Sequence, residues 1–286
     1  MEKYYVQEDG FARVLIHDYE GVMTKIAKLG YAGIEIFYAL HGGYTPQGLK
    51  DFLGSIGMEV LGSHVEIQDT DEQLKYLPGT GCKYIICPGI AIATEEDAYK
   101  AAQTLNECGR KAKSVGLKYG YHNHATDFNK VGGKMINDIL IENTDPDLVA
   151  FEIDVAWAWR AGVNASEYIK KYPGRFELIH VKETVLPDAN HPFNRPRKPA
   201  AEGEKPRKME RGPDGWPLMT PEEAARMDEG LSINCELGKG IIDMPSIKKA
   251  ADAQGINPYY VVERDYAWTG DIFTTLAHDA GYLRAL

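Results

Sequence analysis

The sequence predicts one (β/α)8 barrel. Short apolar runs alternate with amphipathic stretches eight times along the chain, and a repeated strand-helix unit implies parallel strands joined by crossover helices. Eight units in about 250 residues exceed what a doubly wound sheet usually carries. The 286 residues are 44% hydrophobic, enough to close one large core.

The expected strands are 4–6, 33–37, 59–65, 83–87, 118–122, 149–154, 176–181 and 259–263, the first being the least marked. The expected helices are 20–29, 46–56, 71–77, 95–115, 132–142, 165–171, 244–254 and 271–282. Gly30, Gly57, Gly116 and Gly255 follow helical runs, where glycine adopts the left-handed conformation that ends a helix. Thr94 followed by Glu95, Glu96 and Asp97 reads as a capped helix start, and so does Asp243 with Pro245.

One region breaks the rhythm. Residues 184–230, after the seventh strand, hold about half of the 15 prolines and mix both signs of charge. An insertion of that length reads as an active-site lid, a surface excursion or a subunit contact. Its best candidate for order is the run from Gly212 to Pro217, where Trp216 sits among turn formers.

Composition excludes several classes of function. A formal charge of -10 repels phosphate backbones, so nucleic acid is not an expected partner. The start, MEKYYVQEDG, lacks the basic and apolar segments of a signal peptide. No run is long and apolar enough to span a bilayer, so no membrane partner is expected. Cys82, Cys87, Cys108 and Cys235 are scattered and suggest neither a disulfide framework nor a zinc knuckle. A cytoplasmic location follows as the expectation.

Catalytic groups of such a barrel lie at the C-terminal ends of its strands. The fifth strand ends in His122 and His124, the sixth in Asp154, the seventh in His180 and the eighth in Glu263. In a strand, His122 and His124 share one face and Asn123 takes the other. A rim of imidazoles and carboxylates suits one divalent ion, Mn, Co, Zn, Mg or Ni, with positions left for substrate oxygens. A lone histidine at a strand end is more often a hydrogen-bonded core residue, but four such groups on successive strands favour the metal.

The surroundings supply candidate substrate contacts. Trp157 and Trp159 follow Asp154, and an indole beside polar groups can wall a sugar ring or simply fill the core. Lys182 shares a face with His180 and could hold a substrate oxygen or join an ion pair. His64 reaches the same rim, while Glu35 is either a barrel-interior carboxylate or a substrate contact. Glu236 opens ELGKGIID, whose glycines do not follow the phosphate-loop pattern; that loop reads as a tight return into the seventh helix, with amides available to the site. No G-x-S-x-G elbow or paired cysteine nucleophile is present, and Cys87 before Pro88 reads as a buried thiol.

The runs LGYAGIEIF, YHNHATDF, TDPDLVAFEIDVAWAWRAG, LIHVKE, ELGKGIID and YYVVERDY together resemble the xylose isomerase-like barrels, a superfamily of sugar phosphate isomerases and epimerases. Its members include ketose 3-epimerases, hydroxypyruvate isomerase, inosose dehydratase and endonuclease IV. The resemblance covers nearly the whole chain apart from the insertion, and implies a single divalent metal held by His122, Asp154, His180 and Glu263. Ketose epimerases carry a glutamate where this chain has His122; the histidine-rich run of inosose dehydratases is closer to YHNH. The implied chemistry is proton abstraction next to a ketone through a metal-stabilised enediolate, with Glu263, His122 or His124 as the base. It places isomerisation or epimerisation of a sugar or sugar phosphate first. Its alternative is β-elimination from an inosose or 3-keto-glycoside. The partner is a small sugar or keto-polyol, and barrels of this kind often form homodimers or homotetramers. A three-metal nuclease is disfavoured by the acidic surface.

Overall fold

Each apolar run carries two alternating sets of side chains, and closing the sheet gives each set its own core. The computed structural model describes residues 2–38, 40–185, 220–221, 233–264 and 271–286. Most of the expected 184–230 insertion, Trp216 included, lies outside the described residues. Eight parallel strands close a barrel: β1 (Tyr4–Gln7), β2 (Gly33–Phe37), β3 (Glu59–His64), β4 (Tyr84–Cys87), β5 (Lys118–His122), β6 (Val149–Asp154), β7 (Phe176–Val181) and β8 (Tyr259–Val262). Tyr5, Leu61, Tyr84, Ile86, Ala150, Leu178 and Val261 pack inside it. The alternate set, including Val6, Ile34, Ile85, Ile153, Ile179 and Val262, packs outward against the helices.

Those helices are α1 (Tyr19–Lys28), α2 (Pro46–Ser55), α3 (Thr70–Tyr76), α4 (Glu95–Ser114), α5 (Ile136–Asn143), α6 (Ala165–Lys171), α7 (Met244–Asp252) and α8 (Ile272–Ala285). Their starts follow the capping chemistry. Thr94 and Asp97 form a reciprocal box at α4, and the Asp243 carboxylate accepts from the Ser246 amide at α7. Gly30, Gly57, Gly116 and Gly255 all have positive φ, as their place behind helices requires. Among the described residues no helix is long and apolar enough to cross a membrane.

Two local departures have simple causes. The helix expected from residue 132 begins at Ile136, because Lys130–Val131 pairs antiparallel with Lys134–Met135 around Gly132 and Gly133, a glycine pair suited to a two-residue hairpin turn. The tryptophan run after β6 is helical over Val155–Arg160, since the Asp154 carboxylate caps it by accepting the Trp157 amide at 2.8 Å.

The N-terminal mouth is closed by Tyr5, Tyr84 and Tyr259, whose rings meet edge to face. Hydroxyls of Tyr5 and Tyr84 donate to Glu59 at 2.6 Å and Glu177 at 2.8 Å. The strand C-termini open at the opposite end, where the chain returns from the insertion. That return is held by buried carboxylates. Glu183 accepts the amides of Thr184, Gly238 and Ile242 at 2.9 to 3.1 Å. A Cβ on Gly240 would stand 2.4 Å from the Glu183 carboxylate, so glycine there admits the acid. Asp279 accepts the Leu237 amide at 2.9 Å and the Arg264 Nε at 2.7 Å, while Arg264 also donates to the Cys235 carbonyl. The loop glycines thus serve internal carboxylates.

Removing one partner of a buried ion pair strands the other, at a cost of about 3–5 kcal/mol. Arg264→Met is therefore expected to lower unfolding free energy by about that amount, read from urea denaturation; a loss within experimental error would contradict the anchoring role. A second expectation concerns Glu8, which is fully buried where it accepts from the Phe37 amide at 3.1 Å and the Tyr19 hydroxyl at 3.3 Å. Burial pushes this carboxyl well above the ordinary range. Its contribution is fully present below the unfolded pKa and is lost as pH rises through the folded one. Glu8→Gln should raise Tm relative to the parent more at pH 8 than at pH 5, and a pH-independent gap would count against this.

Candidate active site

Two storeys of polar side chains occupy the C-terminal half of the barrel interior. The upper storey comes from successive strand ends: His122 on β5, Asp154 on β6, His180 on β7 and Glu263 just past β8. All four are buried, and one donor atom from each lies within 4.8 Å of the others. Period-two alternation then places Lys182 above His180 and His124 above His122. The Lys182 Nζ is 3.1 Å from Glu263 and 3.7 Å from Asp154, and it stands 5.0 Å from the Trp157 ring centre. The His124 ring is 5.1 Å from His122 and 5.2 Å from Trp157.

The lower storey is built by Gln7, Glu35, His64 and Glu152, at most 3% exposed. His64 Nε2 lies 2.9 Å from Glu152 and 3.1 Å from Glu35. His180 Nε2 lies 2.9 Å from Glu35 and 3.1 Å from Glu152, and His122 Nδ1 lies 3.0 Å from Glu152. The Gln7 amide nitrogen reaches both Glu35 and His64 at 3.1 Å.

Charge follows from this packing. Burial and the neighbouring imidazoles lower His122 to about 4, so at neutral pH it is uncharged and offers a lone pair. Burial would also lower His64, but Glu35 and Glu152 outweigh it and raise that imidazole to about 10. Glu152 is held well below the carboxylate range against its burial by the three histidines around it. Burial pushes Asp154 up to about 8 against the pull of Lys182, whereas Lys182 and His180 overcome burial and hold Glu263 well below the ordinary range.

This donor set fits a divalent cation. Asp154 Oδ2 is fully buried with no hydrogen bond, and the Lys182 Nζ stands 3.7 Å from it. Two imidazole nitrogens and two carboxylates on converging strands can complete such an atom's shell with a metal. A second group, His64, His122, Glu152 and His180, converges equally closely below.

The structure therefore gathers His122, His124, Asp154, Trp157, His180, Lys182 and Glu263 at one end. His64 and Glu35 fall one storey lower, enclosed by Gln7 and Glu152. Glu236 pairs with Lys239 at 2.9 Å on the return loop. The 38% exposed Trp159 lines a separate small cavity with Val163 and Ile241. Sequence reasoning passed over four residues. Glu152 stands two before Asp154, so strand alternation alone could have placed it on the same face. Gln7 extends β1 by one residue beyond the expected end. Asn123 exchanges hydrogen bonds with the Asp154 backbone, at 3.2 Å to the amide and 3.4 Å from its own amide to the carbonyl, tying the ends of β5 and β6 together. The buried Arg160 guanidinium lies 4.3 Å from the Trp157 ring centre, and no pattern marked it.

Known proteins share this architecture. A curated inosose dehydratase of Geobacillus kaustophilus is 25% identical over 191 residues, which are 57% of this chain and 61% of that protein's length. Among solved structures, a sugar phosphate isomerase/epimerase from Parabacteroides distasonis superposes with a TM-score of 0.74 at 22% identity, covering 99% of this chain and 94% of its own. The IOLI protein, solved with a bound zinc atom, superposes with a TM-score of 0.68 at 14% identity, covering 99% and 97%. The model of the xylose isomerase-like TIM barrel matches residues 23–286. With the closed eight-stranded barrel and that match agreeing, the chain belongs to the xylose isomerase-like TIM barrel family.

Proposed function

We propose that the protein is a divalent-metal-dependent dehydratase that removes a proton next to the ketone of a cyclic keto-polyol and expels a β-hydroxyl as water. The observation that carries this reading is the pair of imidazoles on β5. His122 stands in the donor set, and His124 sits one pleat above it beside Trp157. An ion held by His122, Asp154, His180 and Glu263 supplies Lewis acidity toward a carbonyl oxygen, which makes the adjacent C–H acidic.

The protein's own groups account for the remaining steps. Trp157 offers an apolar wall to the carbon ring, and Lys182, charged beside Glu263, holds a substrate oxygen over that wall. His124 takes the α-proton as base and returns it to the departing hydroxyl as acid, so that one imidazole serves a C–H cleavage and a C–O cleavage. Epimerisation instead needs a proton removed from one face and delivered to the other. The carboxylate available on the β5 and β6 side, Glu152, is enclosed by three imidazoles and does not fill that second role. The name of the Geobacillus relative supports elimination. Isomerisation or epimerisation, placed first by the sequence, remains the second reading because Asp154, His180 and Glu263 agree with the ligand pattern of the epimerase branch.

Protein loaded with Mn, Co or Zn and given an inosose in deuterated water should form a dione or enone that absorbs in the ultraviolet, and chelation should stop it. Deuterium uptake without an absorbing product would transfer the assignment to epimerisation, and neither signal would sink both readings. Within the same assay, His124→Gln should lower kcat about 10²- to 10⁴-fold, the range for losing a general acid-base group, while metal content stays unchanged. Asp154→Asn should instead lose the metal, as measured by elemental analysis after dialysis.

A further inference from the structure

We infer that Glu152 and Glu35 are positioning residues that decide which nitrogen of His122 and of His180 faces the upper storey. This rests on the metal reading above and concerns the storey beneath it. An imidazole that holds a metal through one nitrogen keeps its N–H on the other, and the carboxylate that accepts that N–H determines which nitrogen is left to the ion. His180 turns Nε2 down to Glu35 and Glu152, at 2.9 and 3.1 Å, and Nδ1 up toward Glu263 at 3.2 Å. His122 turns Nδ1 toward Glu152 at 3.0 Å, which leaves its Nε2 as the remaining donor. Glu35 therefore accepts from His180 and Glu152 from His122, while a second oxygen of Glu152 stands 3.1 Å from the His180 Nε2, so the two carboxylates together orient two ligands from different strands. His64 closes the ring, meeting Glu152 at 2.9 Å and Glu35 at 3.1 Å, and Gln7 steadies both Glu35 and His64.

The backbone supports the same assignment independently. The β2–β3 ladder slips by one residue between Ile34 and Glu35, and the β6–β7 ladder slips between Phe151 and Glu152. Register slips next to active sites re-aim side chains, and here each irregularity directly precedes one of the two carboxylates. Bulky apolar residues dominate barrel interiors, and acids at 0% and 1% exposure persist only where donors surround them. Two such acids, each following a slip and each bonded to a ligand histidine, have the geometry of tautomer control.

The test uses the full chain as Glu152→Gln, Glu35→Gln and wild type. Co(II) and Zn(II) affinities come from competition with a chromophoric chelator, alongside Co(II) absorption spectra, metal stoichiometry and urea stability. Wild type should bind one ion per chain. Glu152→Gln, which disturbs both histidines, should bind it about 10- to 100-fold more weakly with a shifted Co(II) spectrum, the usual range for losing an outer-shell partner. Glu35→Gln, which of the two ligand histidines touches only His180, should give a smaller loss of the same kind and keeps the inference testable if the first variant fails to fold. Folded variants with unchanged affinity and spectrum would overturn the inference and leave the metal reading intact. Two ions per wild-type chain, with one lost on Glu152→Gln, would overturn it in favour of a second metal site. A wild type that binds no ion would remove the metal reading itself.

Discussion

Everything at the open end of this barrel depends on four carboxylates buried beside three imidazoles and one ammonium. Glu35, Glu152, Asp154 and Glu263 are each at most 7% exposed, a condition tolerable only because each lies against a cationic or hydrogen-bonding partner. That requirement dictates neighbours. Lys182 must stand between Asp154 and Glu263, and His64 must occupy the lower storey between Glu35 and Glu152. The carboxylates hold the imidazoles in place, and the imidazoles make the carboxylates bearable.

Such a site contributes little stability and must be carried by the remainder of the molecule. The outer core between strands and helices is apolar and continuous, with residues such as Ile26, Leu53, Leu105 and Ile179 fully buried. The lower half of the barrel interior is filled by tyrosines and aliphatic side chains. The fully buried charged groups of the barrel interior are thus gathered, among the described residues, at the C-terminal end. The division of labour between the apolar base and the charged mouth is the same one that lets this fold host varied chemistry.

Glu183, Arg264 and Asp279 extend the logic outward. They convert the return from the 184–230 region into a bonded structure, capturing the amides of Leu237, Gly238 and Ile242. Because Glu183 follows Lys182 directly and Arg264 follows Glu263, both of these residues at the barrel mouth have an adjacent residue that pins the loop next to them. Position in the site and position of the loop are set by the same two strand ends.

Much of this was legible in the chain itself. Strand-helix alternation, capping residues and glycine stops depend on local backbone preferences, so eight strands and eight helices fell close to their expected ranges. The residues at the ends of β5 to β8 were equally legible, because side-chain alternation along a strand is local geometry. What pairs with what was not. Glu152 lies in the same short run as Asp154, yet it meets His180 from the neighbouring strand β7 and His64 from β3, which approaches it only when the sheet closes. Trp157 lay past the expected strand with no element assigned, and the Asp154 cap places it in a short helix. Glu236 was a candidate substrate contact and the loop amides were left available to the site, whereas Glu236 pairs locally with Lys239 and tertiary packing gives the amides of Gly238 and Ile242 to Glu183. The sequence determined the periodicity and the chemical inventory of the site, which are properties of neighbours along the chain. Only the closed barrel decided which donors converge and which nitrogen of each histidine turns upward, because those depend on ladder register between strands far apart in sequence.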